Sequence, residues 1–67
     1  MQYGKNFKQA RIRAGLSVRR AASAAGVAPA VIQNAEAGCD VRLSSALKMA
    51  AAYGVTVAQL LTPEVAS

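Results

Sequence analysis

A chain of 67 residues sets the scale of one small domain, and because 16 of the residues behind its 54% hydrophobic fraction are alanines, the core it can bury is thin. Eight Lys and Arg against three acids leave a net charge of +5, which points to a polyanionic partner. The lone Cys39 excludes an internal disulfide and fits a loop thiol in a reducing cytoplasm. The absence of histidine and the isolation of the three acids leave neither an acid/base pair nor a metal cluster, so the chain is expected to be no enzyme and to need no metal or cofactor.

Glycine and proline divide the chain into five short segments of helical periodicity, and none alternates as a half-buried strand does, so the fold is expected to be all-α. The first segment runs from Asn6 to Ala14, with Phe7, Ala10, Arg11 and Ala14 on one face, and Gly15 stops it. Ser17 caps a second helix ending at Ala25 and Gly26. Pro29 opens a third at its first position, where a missing N–H costs nothing, and Gly38 ends it. The fourth carries Leu43, Ala46, Leu47, Ala50 and Tyr53 on one stripe before Gly54. A last turn carries Val57, Leu60 and Leu61 before Pro63, and residues 62–67 are read as a loose tail. No internal repeat or linker interrupts the series, so residues 1–67 are read as a single domain.

Arg19 and Arg20 before an alanine-rich run ending in "AEA" superficially copy a twin-arginine export signal. Ser23, Gly26 and Pro29 interrupt that run, it lacks Leu and Phe, and cleavage would leave only about 30 residues, below the size of a domain. No apolar run reaches the roughly 18 residues of a membrane helix, so no membrane association is expected.

Two short helices joined by a tight glycine turn make a helix-turn-helix unit, and the second and third segments are separated only by "AGVA". The stretch "GLSVRRAASAAGVAPAVIQNAEAG" resembles the lambda-repressor-like, Cro and XRE-type DNA-binding family. Gly15, Leu16, Ser17, Ala22, Gly26, Val27, Ile32, Glu36 and Gly38 fall in the family's register. The likeness extends to "YGKNFKQARIRAG" before the stretch and "LSSALKMAAAYGVTVAQLL" after it, covering residues 3 to 61. It implies a five-helix domain whose third helix lies in the major groove of DNA.

Periodicity turns Ile32 and Ala35 inward, with Val31 at the edge, and Pro29, Ala30, Gln33, Asn34 and Ala37 outward. Alanine and proline make no hydrogen bonds to bases, so at Ala28, Pro29 and Ala30 contact with a thymine methyl is the only readout available. Gln33 and Asn34 are either amides that bond adenine edges or solvated helix-surface amides. Specificity is therefore expected to be modest, or partly indirect through DNA shape.

Arg19 and Arg20 oppose the macrodipole in the first turn of the second helix, so stability does not explain them; they clamp phosphate or form a solvated basic patch. Val18 stands where the family commonly places a phosphate-contacting Gln. Ser17 caps its helix and can also face phosphate, while Arg42 falls in a loop where the family commonly contacts phosphate. The resemblance further implies a structural bridge between Arg11 and Glu36. Lys5, Lys8, Arg13 and Lys48 add a general positive field, and Tyr3 and Tyr53 read as packing residues.

Two functions compete. One is a small transcriptional regulator, a repressor that binds a near-palindromic operator as a homodimer through Val57, Leu60 and Leu61, formed in solution or only on DNA. The other is a protein-interaction module of antitoxin or anti-activator type, which keeps the fold while its alanine-bearing outer face binds a protein partner.

Overall fold

In a computed structural model that describes residues 3–61, the backbone forms five helices, and no strand occurs among the described residues. They are α1 (Gly4–Arg13), α2 (Val18–Ala25), α3 (Pro29–Glu36), α4 (Leu43–Tyr53) and α5 (Val57–Leu61). Residues 62–67, read above as a tail, lie outside the described residues.

The buried residues of α2 are all alanine, Ala21, Ala22 and Ala25, with Val18 half-buried against the core at its start. With nothing beyond Cβ at those three positions, α2 can lie close to α3 and α4, its principal neighbours. The bulk comes from the other helices, as Phe7, Ile32, Met49 and Leu60 are fully buried and Tyr53 nearly so. This is how an alanine-rich chain closes a core: one slender helix fills the space between neighbours that carry the large side chains.

The start of α1 depends on a close approach that periodicity does not show. A Cβ at position 4 would lie 2.6 Å from the Glu36 carbonyl oxygen, so glycine alone lets the start of α1 rest against the end of α3. The helix begins at Gly4 rather than Asn6, and Ala14, expected on its inner face, is an exposed C-cap.

The stripe expected on α4 is rotated. Its buried residues are Ala46, Met49, Ala50 and Tyr53, whereas Leu43 is 62% and Leu47 53% exposed. At 3.6 residues per turn the two leucines lie about 70° and 110° from the centre of the buried arc, while Met49 falls within it. Apolar size suggested the leucines; contact with α2 and α5 selects the arc.

The turn before α5 is fixed by a reciprocal cap that its apolar residues do not announce. Thr56 Oγ1 accepts from the Gln59 N–H at 3.1 Å, and Gln59 Oε1 accepts from the Thr56 N–H at 2.9 Å. The signature is present in the sequence as "TVAQ", a Thr followed three residues later by Gln.

Candidate nucleic-acid interface

The helix-turn-helix is set by two helix starts and one left-handed turn. Ser17 is extended (φ −73°, ψ 168°), and its Oγ accepts from the Arg20 N–H at 3.2 Å. At the far end of α2, Gly26 adopts φ +71°, and the Val27 N–H returns to the Ala22 carbonyl at 3.0 Å. Such a turn satisfies the free carbonyls of α2 and redirects the chain within two residues. Ala28 is again extended (φ −70°, ψ 148°) but offers no side-chain cap, and Pro29 follows as the first residue of α3.

Within α3 the two faces separate cleanly. Ile32 and Ala35 are buried and Val31 is half-buried, while Ala28, Pro29, Ala30, Gln33, Asn34 and Ala37 are exposed. Asn34 shares a shallow concavity of about 160 Å³ with Arg42, Asp40 and Ser45 between α3 and α4. Arg19 and Arg20 are exposed on the first turn of α2, and Arg42 is the exposed N-cap of α4. Positive charge therefore stands at the starts of the helices on either side of α3, whose own outward surface carries none.

Arg11 and Glu36 hold this arrangement together. Arg11 Nε donates to Glu36 Oε2 at 2.6 Å and Nη2 donates to Oε1 at 3.1 Å, with each side chain only 12% exposed. A third donor, Nη1, reaches the Leu16 carbonyl at 2.9 Å, a partner that spacing alone does not reveal. One guanidinium thus ties the last residue of α3 to α1 and to the segment that leads into α2. The Glu36 hydrogen bonds hold Arg11 above its ordinary pKa, against the opposing effect of burial. Both groups are engaged with each other and are turned away from the exposed face of α3.

Tyr53 packs in the same region, and its hydroxyl is buried without a hydrogen-bond partner. Burial chiefly, with the Glu36 charge adding to it and Arg11 opposing, pushes the phenol up from its ordinary value.

The residues expected at a dimer interface divide. Leu60 is 1% exposed and belongs to the core, so it is not available at a surface, while Val57 and Leu61 are half-buried against that core. A five-residue helix must bury its one large inward residue to attach at all, which assigns Leu60 to the domain itself. The large apolar side chains that do stand exposed among the described residues are Ile12, Leu43 and Leu47. Cys39 is an exposed free thiol in the loop between α3 and α4.

Among the described residues, no group of His, Cys, Asp and Glu could hold a metal ion. No helix among them is long and apolar enough to cross a membrane. Comparison with curated proteins and with solved structures gives no significant match. The family model described as a helix-turn-helix domain matches residues 2–62. With α2, the Gly26 turn and α3 forming the unit that defines it, the chain belongs to the helix-turn-helix domain family.

Proposed function

We propose that the chain is a small transcriptional regulator of the lambda-repressor-like, Cro and XRE type, a repressor that binds double-stranded DNA. In this reading α3 enters the major groove, with Gln33 and Asn34 at base edges and Pro29 and Ala30 in apolar contact. Ser17, Arg19, Arg20 and Arg42 meet phosphate on either side. The observation that carries it is the charge pattern: exposed arginines stand at the starts of α2 and α4, the helices before and after α3 in the chain, and the exposed face of α3 is uncharged. Phosphate contacts position such a protein on the duplex, and base contacts specify where it stops.

The regulator works in the cytoplasm as a homodimer on two half-sites one helical turn apart, without catalysis, metal or cofactor. A thin monomer core and a small domain make assembly on DNA as reasonable as assembly in solution.

A second reading has its own support. Ala28, Pro29 and Ala30 give α3 an apolar outer start, and Leu43 and Leu47 are exposed one turn apart on α4. A protein-interaction module of antitoxin or anti-activator type would use these surfaces and bind DNA weakly or not at all.

Selection of bound fragments from randomised and genomic DNA, at low and near-physiological salt, separates the two. An enriched inverted repeat is the expected result. Binding that is salt-sensitive but without enrichment reduces the function to backbone recognition, and no binding at either salt transfers the role to a protein partner.

A further inference from the structure

Resting on the DNA-binding reading above, we infer that the half-site read by α3 is built from A·T base pairs, recognised through thymine methyl groups and adenine edges. The inference follows from what the exposed face of α3 holds and from what it lacks. In the major groove, each base pair presents its own set of donors, acceptors and methyl groups. Guanine offers two acceptors and is matched by Arg or Lys, cytosine offers an amino donor and is matched by Asp or Glu, adenine pairs bidentately with an amide, and thymine alone offers a methyl.

The outward residues are Ala28, Pro29, Ala30, Gln33, Asn34 and Ala37. None of them is a cation, so none makes the guanine pair. The one acid of α3, Glu36, is held by Arg11 at 2.6 Å and is only 12% exposed, so it is withdrawn from any cytosine amino group. Arg19, Arg20 and Arg42 stand on the starts of other helices, and the proposed function assigns them to phosphate.

What remains suits one kind of base pair. The methyl and ring carbons of Ala28, Pro29 and Ala30 give a surface on which a thymine methyl loses contact with water, and they offer nothing to a polar edge. Gln33 lies about one helical turn from Ala30, a distance of roughly 5 Å along the axis, so the apolar contact and the amide pair address neighbouring base pairs. Burying one methyl is worth about a fourfold change in affinity. One bidentate amide–adenine pair is worth about 5- to 150-fold in discrimination. A reader of this kind has modest specificity at each thymine and its sharpest specificity at the adenine facing Gln33.

Base-analogue duplexes test this directly. Fluorescence anisotropy at one fixed salt concentration would compare duplexes of about 20 base pairs with two half-sites one turn apart. The contacted steps would be A·T, A·U, I·C or G·C. Uracil deletes the thymine methyl and keeps the pairing. Inosine keeps the major-groove face of guanine while its minor groove resembles A·T, so I·C separates reading by α3 from recognition of minor-groove shape.

The expected order is A·T tightest, A·U about fourfold weaker per methyl, and I·C and G·C together weakest. Gln33→Ala, at an exposed position, should leave the helical circular dichroism unchanged and reduce the preference for A·T over I·C by about 5-fold or more. Equal affinity for A·T and A·U together with an unchanged preference in Gln33→Ala overturns the inference, as does an I·C duplex that binds like A·T. Equal binding of all four duplexes overturns it while leaving backbone recognition standing. Absence of binding to every duplex overturns the DNA-binding reading itself.

Discussion

The first turns of α2 and α3 share a backbone shape and differ in every side chain. Ser17 and Ala28 both hold an extended conformation ahead of a helix of eight residues. Ser17 caps its helix and is followed by Val18 and two exposed arginines. Ala28 caps nothing and is followed by Pro29 and Ala30. Under the proposed function the same local geometry serves two tasks. The α2 start concentrates charge and N–H groups where a phosphate can dock, and the α3 start presents a neutral apolar edge that can lie against bases. In the proposed reading, anchoring and reading are divided between neighbouring helices, and that division depends on the two helices keeping a fixed relative placement.

The largest expected effect comes from breaking that placement. Glu36→Ala leaves the Arg11 guanidinium mostly buried without its carboxylate, and the loss should be about 3 kcal/mol or more of unfolding free energy. Chemical denaturation measures it. A cost under about 1 kcal/mol would mean that the pair behaves as a surface salt bridge and does not fix α1, α2 and α3 together.

Removal of charge from α2 sharpens the comparison. Arg19→Ala and Arg20→Ala should each lower the salt dependence of DNA binding by about one unit of slope and weaken all sequences alike. Stability should move the other way, by about 0.3 to 1 kcal/mol for each, because an arginine in the first turn opposes the helix dipole. A salt slope that does not change would remove both residues from the phosphate contacts.

Exchange of the caps comes next. Ser17→Ala should destabilise by about 1 kcal/mol, and Ala28→Ser should stabilise by a similar or smaller amount, since the backbone at 28 is already in the capping conformation. Thermal melts of the two variants check this. Failure of Ala28→Ser to raise the melting temperature would show that the α3 start gains nothing from a hydroxyl there.

The smallest effect concerns Tyr53. Its folded pKa lies above the ordinary 10.0, so the neutral phenol is favoured in the folded state, and the associated stability is present below pH 10 and lost as pH rises beyond it. Tyr53→Phe should remove that alkaline loss. By deleting a buried hydroxyl that has no partner, it should also leave the protein as stable at neutral pH or more stable by about 1 kcal/mol. A Phe variant that keeps the full alkaline loss would place the titrating group elsewhere.

The helix ends and the exposed face that frame the candidate site were legible because their signals are local. Ser17, Gly26 and Pro29 each act through their own backbone geometry or hydrogen bonds a few residues away, so they mark the ends of α2 and α3 without reference to the rest of the chain. The outward and inward faces of α3 follow from the helical repeat in the same way. The third bond of Arg11, to the Leu16 carbonyl, was not legible, since it joins a side chain to a backbone group whose position depends on the turn at Gly15.

The sequence by itself determined the five helical segments among the described residues, the ends of α2 and α3, the stop at Gly54 and the basic residues at the starts of α2 and α4. Those properties rest on caps, breakers and composition, whose effects do not extend beyond a turn or two. Only the tertiary structure decided that Met49 and not Leu43 or Leu47 fills the core, that Leu60 is interior, and that Gly4 is where α1 meets α3. A helical repeat specifies a broad apolar arc, and the helices packed against it select which part of that arc is buried. The thinness of an alanine-faced α2 makes that selection sharp, because the space it leaves must be filled by large side chains from distant positions in the chain.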